Sequence, residues 1–358
     1  MYQEHKKFII ITTKANRLKT KIVILTCLLV ISFSSKAQNE NLEVQNPKVG
    51  LVLSGGGAKG LAHIGALKTI DSLGVKIDYV AGTSMGAIIG GLYASGYSGK
   101  QIDSIFKEVD FDVLINDNLP RAAKTFYERD NSEKYAITLP FNKFKVQIPT
   151  AISRGQNVFN LFSKLMLHVS YIEDFENLPT PFFCIATNIE SGEPVVLNSG
   201  SLPQSIAASG ALPSLFQPVI IDNQILIDGG VVNNYPIDEL REKGMDIIIG
   251  VDVQDELAEG TELNSAPDIL LQISNFRTIN AMKGKSVKTD IYIKPDIKKY
   301  NVVSFQYGKQ IIENGRIAAL IKQDELKDLV RNQRKTIKER IKISSIDSIN
   351  IKRIEING

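Results

Sequence analysis

The chemistry in this chain starts at a serine set between glycines. In the stretch Val80 to Tyr93, reading VAGTSMGAIIGGLY, an apolar run ends in Gly-Thr-Ser-Met-Gly and a small-residue apolar segment follows. Such a pattern turns a strand sharply into a helix and lifts the serine clear at the edge of the sheet, where its hydroxyl can act as a nucleophile. A Cβ at Gly82 or Gly86 would clash with the neighbouring strand and helix, so glycine is required at both. Ser84 also falls at a helix N-terminus, where free N–H groups and the dipole favour developing negative charge. Taken alone, the stretch reads equally as a Ser-Gly turn capping an ordinary helix.

A second glycine cluster, Ser54-Gly-Gly-Gly-Ala-Lys-Gly60, follows the apolar run Val49 to Leu53. Gly55, Gly57 and Gly60 match the spacing of a dinucleotide fingerprint, with Asp78 downstream. The position of Asp78 argues against that use: a ribose-binding acid closes the second strand, whereas Asp78 opens it. A phosphate-binding P-loop would need Lys-Ser or Lys-Thr after Gly60, and Leu61 stands there. Consecutive glycines ahead of a helix also expose a row of backbone N–H donors, which is what an oxyanion hole needs.

A serine nucleophile needs a base. The histidines are His5, His63 and His168, so no histidine lies near the C-terminus to complete a Ser–Asp–His order. His63, one turn into the helix after the glycine loop, reads as a packing or hydrogen-bonding residue. A carboxylate held against the hydroxyl and partly desolvated can take the proton directly. Asp228 is the best candidate, because it follows an apolar strand and is fixed by Gly229 and Gly230; by itself Asp-Gly-Gly is also a common turn.

The elements that must position these groups follow from hydrophobic periodicity. Val49 to Leu53 reads as a buried parallel strand, and Leu61 to Leu73 as a helix stopped by Gly74. The run Val75 to Ala81 leads into the elbow and its helix, and Ser98 caps a helix through Val109. Strand, turn, helix, strand, elbow, helix implies a right-handed βαβα unit and a parallel sheet. Residues 110–150 are less regular, with a hairpin of arms 135–139 and 144–148 around Phe141-Asn-Lys143. A helix is expected over 157–169, strands over 182–187 and 195–197, and a small-residue segment at 206–213. A hairpin over Asp222-Asn223 then runs into Asp228, followed by a helix over 236–243 and a buried strand over 247–253. A long helix near 268–288, a strand over 291–294 and helical pattern from Gly308 to about Ile343 complete the reading.

Read together, Gly55-Gly-Gly-Ala-Lys-Gly60, Gly82-Thr-Ser-Met-Gly86, Ala208-Ser-Gly-Ala-Leu-Pro213 and Asp228-Gly-Gly230 resemble, in order and spacing, the patatin-like phospholipases, over about residues 47–300. The resemblance implies an α/β fold, a three-layer sandwich whose mainly parallel central sheet is flanked by helices. It implies lipid acyl hydrolysis with Ser84 as nucleophile, Asp228 as the base of a Ser–Asp dyad, and the amides of Gly55, Gly56, Gly57 and Ala58 as oxyanion hole. Gly60, Gly82, Gly86, Gly229 and Gly230 support those motifs. No metal and no cofactor are implied. The expected partners are a lipid or phospholipid substrate and a membrane surface. Ser54 stands where the family often has an acidic residue, which leaves the backbone donors intact. Phe159, Leu161, Phe162, Leu165, Met166 and Leu167 are expected to wall an acyl slot, although core packing alone also explains most of them.

Composition sets the outer limits. Of 358 residues, 43% are apolar and 23% charged, as in ordinary globular proteins. The formal charge is +3, but the first 37 residues hold seven Lys and Arg against one Glu. Without them, 35 basic face 38 acidic residues, a charge of −3, and nothing in the bulk charge points to nucleic acid. Residues 1–37 read as an export signal: Lys14, Arg17, Lys19 and Lys21 precede the apolar run 22–31, and Ser35-Lys-Ala37 has cleavage-site spacing. The expected organisation is therefore signal peptide 1–37, linker 38–46, catalytic domain 47–300, helical extension 301–343 and tail 344–358. The expected location is periplasm, outer membrane or cell surface. The tail alternates like a strand. It resembles the opening strand of a POTRA-type periplasmic domain, as in longer bacterial relatives that continue into a barrel, or it simply adds a strand or stays loose. Cys184 stands without a disulfide partner once the signal is removed, and reads as a small core residue. The rival to an acyl hydrolase is a catalytically silent lipid-binding scaffold of the same fold.

Overall fold

The computed structural model describes residues 46–117, 141–142, 145–146, 151–254, 256–257 and 266–333. The expected signal, most of the linker, the tail and the helical run past 333 lie outside the described residues. So do the first arm of the expected hairpin, 135–139, and all of its second arm, 144–148, except Lys145 and Val146. The paired ladder there is β3 (Phe141–Asn142) with β4 (Lys145–Val146), so Phe141 and Asn142, expected in the turn, are strand residues.

The first elements follow the expected order. β1 (Val49–Leu53) leads through the glycine loop to α1 (Ala62–Leu73), which Gly74 stops in a left-handed conformation, φ 81°. Next come β2 (Tyr79–Thr83), α2 (Met85–Ala94) and α3 (Gly99–Glu108). Ser98 and Gln101 close a reciprocal capping box at the start of α3. A short helix missing from the sequence reading, α4 (Phe111–Asn116), follows, capped by the Asp110 side chain. β5 (Ala151–Ser153) precedes α5 (Gln156–Leu165), and the remainder of the expected 157–169 helix is a separate 3₁₀ turn, Leu167–Val169. β6 (Phe182–Asn188), β7 (Pro194–Leu197) and α6 (Leu202–Ser209) lead to β8 (Ser214–Phe216). The hairpin of β9 (Val219–Ile221) and β10 (Gln224–Asp228) turns over Asp222 and Asn223, both at positive φ (48° and 61°), as a two-residue hairpin requires. The chain ends its described course with α7 (Ile237–Glu242), β11 (Ile247–Val251), α8 (Ala266–Val287), β12 (Ile291–Ile293), α9 (Gly308–Ile321) and α10 (Gln323–Asn332).

The main sheet runs β12-β11-β1-β2-β6-β10-β9. The five strands from β12 to β6 are parallel; β10 and β9 are antiparallel additions, and β7 pairs antiparallel with β6. Alternate residues of the same strands enter two separate hydrophobic clusters. Leu51, Leu53, Val80, Phe182, Cys184, Ile249 and Val251 pack on one side with α1, α2, α6, α9 and α10. Val52, Tyr79, Ala81, Phe183, Ile185 and Ile248 pack on the other with Ile237 and Leu240 of α7 and Met282 of α8. Period-two strands with both faces buried make a three-layer α/β/α sandwich with a mainly parallel sheet. The helices after residue 300 share the first core. α9 crosses α1 so closely that a Cβ on Gly65 would lie 1.8 Å from Ile312 O, and one on Gly315 would lie 1.9 Å from Ala62 O.

Candidate active site

The ladder register of β6 brings the two candidate reactive residues together. β7 holds one edge of β6 from Cys184 to Thr187. The other edge is shared: β2 pairs with Phe182 to Ile185, and β10 pairs with Ala186 to Asn188. β2 runs parallel to β6 and β10 antiparallel, so their C-terminal ends meet head to head, Thr83 opposite Ile185 and Asp228 opposite Ala186. The residue after Thr83 is Ser84, and its Oγ donates to Asp228 Oδ2 at 2.5 Å.

Local geometry then aims both groups. Ser84 has φ 55° and ψ −123°, a strained conformation for a residue with a Cβ, and α2 starts immediately after it. The turn is tight enough that a Cβ on Gly82 would lie 2.4 Å from Gly86 O, and one on Gly86 would lie 2.2 Å from Leu53 O. Asp228 is buried, and its second oxygen, Oδ1, accepts from Gly230 N at 2.7 Å. Burial pushes its carboxyl up to about 6, opposed by the hydrogen bonds from Ser84 and Gly230. A carboxylate in that range can hold a proton transiently near neutral pH.

Ser209, unassigned in the sequence reading, completes the elbow. Its hydroxyl donates to Ile185 O at 2.5 Å and accepts from Ser84 N at 3.0 Å, tying the Ser84 backbone to β6. The signal lay in the Ala208-Ser-Gly block, quoted above without a role. Of the four amides expected as oxyanion donors, two are occupied. Gly55 N donates to Asn234 Oδ1 at 3.1 Å, and Ala58 N donates to Val302 O at 2.8 Å. Gly56 N and Gly57 N have no acceptor among the described residues, and both residues line the cavity that contains Ser84. The expectation for Gly55 and Ala58 is therefore corrected: their N–H groups fix the loop.

That cavity measures about 1190 Å³, and Ser84, Asp228 and the glycine loop line it. Phe159, Leu161 and Phe162 of α5 line it as expected, joined by Phe111 of α4 and Phe216 of β8. Met166 is instead fully inside the core, and Leu165 packs against it. The histidines lie elsewhere. His63 is buried, with Nε2 2.8 Å from Ser54 O, and burial pushes its imidazole down to about 4. His168 Nε2 lies 2.8 Å from Ser95 O. Among the described residues no three His, Cys, Asp or Glu side chains are grouped as a metal site would need. Cys184 is buried in the core, where burial pushes its thiol up.

Residues 51–241 match the family model described as patatin-like phospholipase. The lysophospholipase NTE1 of Debaryomyces hansenii is 28% identical over 298 residues, covering 76% of this chain and 18% of that protein. The lysophospholipase of the same name in Aspergillus fumigatus is 34% identical over 206 residues, covering 57% of this chain and 12% of that protein. The chain thus spans less than a fifth of the length of these curated relatives. Among solved structures, that of VipD from Legionella pneumophila aligns over 78% of this chain and 67% of that one, at 16% identity and a TM-score of 0.40. With its family match running over more than half of its length, the chain belongs to the patatin-like phospholipase family.

Proposed function

We propose that this chain hydrolyses carboxylic esters of lipids through a Ser84 acyl-enzyme with Asp228 as base. The observation that carries the proposal is the 2.5 Å contact between Ser84 Oγ and the buried Asp228 carboxylate, both lining a large, mainly apolar-walled cavity. Ser84 Oγ attacks the ester carbonyl carbon while Asp228 takes its proton. The tetrahedral oxyanion is held by the N–H groups of Gly56 and Gly57. As the carbon–oxygen bond breaks, Asp228 returns the proton to the leaving alcohol. A water, deprotonated by the same carboxylate, then cleaves the acyl-enzyme, releases the fatty acid and restores the Ser84 hydroxyl. The relatives named lysophospholipase support a single-chain phospholipid as the natural ester.

The test is p-nitrophenol release from a medium-chain p-nitrophenyl ester, with and without EDTA. Wild type should turn over in both conditions. Ser84→Ala and Asp228→Asn should each lose on the order of 10³-fold or more in kcat. The wild-type rate should fall with decreasing pH through about 6, because only the carboxylate form accepts the proton. Turnover that survives in Ser84→Ala rules out the dyad. An inert wild type that still binds phospholipid vesicles would leave a lipid-binding scaffold as the better account.

A further inference from the structure

The glycine loop follows β1 and Asp228 ends β10, and no ladder pairs these two strands among the described residues. Their relative placement is set elsewhere, by two asparagines after the Asp-Gly-Gly turn. Asn234 grips the Gly55 peptide from both sides: its Oδ1 accepts from Gly55 N at 3.1 Å and its Nδ2 donates to Gly55 O at 3.2 Å. Its backbone carbonyl also faces Gly55 N, at 3.3 Å. The same Oδ1 rests on the base's turn, where a Cβ on Gly230 would lie 2.7 Å from it. Asn233 adds the elbow, because its carbonyl accepts from Thr83 Oγ1 at 3.0 Å, one residue before Ser84. Its side chain is held from behind by Lys285 Nζ at 2.6 Å and by Glu239 Oε1 at 2.6 Å.

We propose that Asn234 is a positioning residue. It clamps Gly55 so that the free amides of Gly56 and Gly57 stay in register with Ser84 and Asp228. The proposal rests on the Ser–Asp reading above. Only an amide supplies an acceptor and a donor side by side at this reach: Asp lacks the donor, and Gln is a methylene longer. The clamp also explains why the Gly55 N–H is withdrawn from the oxyanion hole while its two neighbours remain free.

Two measurements on the intact chain test it: ester kinetics across pH, and amide hydrogen exchange of the segment 54–61, for wild type, Asn234→Ala and Asn234→Asp. Asn234→Ala should lower kcat by about 10²- to 10³-fold, the loss seen when an oxyanion donor is removed. KM should stay within about threefold, and the acid limb of the pH profile should not move, because the base is untouched. Exchange should quicken at Gly55 and its neighbours while β10 and α2 keep their protection. Asn234→Asp, which retains the acceptor alone, should recover protection at the Gly55 amide without recovering kcat. A kcat for Asn234→Ala within threefold of wild type overturns the proposal. So does a shifted acid limb, which would place the effect on Asp228, or a loss of protection across the whole sheet. A wild type inert on esters would refute the Ser–Asp reading instead, and exchange at Gly55 would still decide whether the clamp exists.

Discussion

Ser84 occupies a backbone conformation, φ 55° and ψ −123°, that costs a residue with a Cβ about 1–3 kcal/mol. The cost is borne because the Ser209 hydroxyl holds the Ser84 amide and Asp228 accepts from Oγ. Ser84→Gly and Ser84→Ala should therefore be equally inactive but unequally stable. Glycine relieves the strain and gives back about 0.5–1 kcal/mol through the greater freedom of the unfolded chain. Ser84→Gly is thus expected to be more stable than Ser84→Ala by on the order of 1 kcal/mol in urea denaturation. Equal midpoints would mean that the elbow stores no strain. The serine and its glycines are legible from spacing. The Ser209 contact was hidden because it joins residues 125 positions apart.

At the scale of elements, the site is a consequence of β6 accepting two partners along one edge. β2 and β10 end against adjacent residues, Ile185 and Ala186, and Ser84 and Asp228 meet where they end. Gly229 lets β10 turn away directly beside β6, since a Cβ there would lie 2.1 Å from Ile185 O. That contact is with backbone and cannot yield by a side-chain rotation. Gly229→Ala should displace Asp228 from Ser84, abolish most ester turnover and cost about 2 kcal/mol or more, read as a fall in Tm. Unchanged Tm and turnover would show that the close approach is dispensable. Both hairpin strands and the turn over Asp222-Asn223 were readable from alternation and turn chemistry. α6 was not: it spans Leu202–Ser209, four residues ahead of the small-residue segment at 206–213, because alanine and serine carry little periodic signal.

For the whole molecule, the buried Asp228 carboxyl is a stability cost. In the folded state it titrates near 6, above the roughly 3.9 of an unfolded aspartate. Between those values the folded state binds more protons than the unfolded one, so stability falls as pH rises from about 4 to about 6. Above that window the full cost is present, on the order of 2–3 kcal/mol. Asp228→Asn keeps the side-chain volume and an acceptor for Gly230 N but removes the buried charge. It should unfold at higher denaturant than wild type at pH 8, by about 2 kcal/mol, with the gain vanishing near pH 4. A gain independent of pH would mean that Asp228 is not the titrating group. The sandwich carries this cost through two full cores, one on each face of the sheet.

The three layers followed only from the family resemblance, while the sequence by itself determined the parallel start of the sheet and the residue types of the site. These are local properties: apolar runs of strand length, helical periodicity, and glycines where a Cβ has no room. The tertiary structure alone decided which of those residues meet. Ser84 and Asp228 are 144 positions apart, and only the shared edge of β6 sets them 2.5 Å from each other. Tertiary structure also sorted the glycine-loop amides. Partners from Asn234 and Val302 take two N–H groups and leave two without an acceptor among the described residues, because a backbone donor looks the same in sequence whether or not a distant carbonyl is waiting for it.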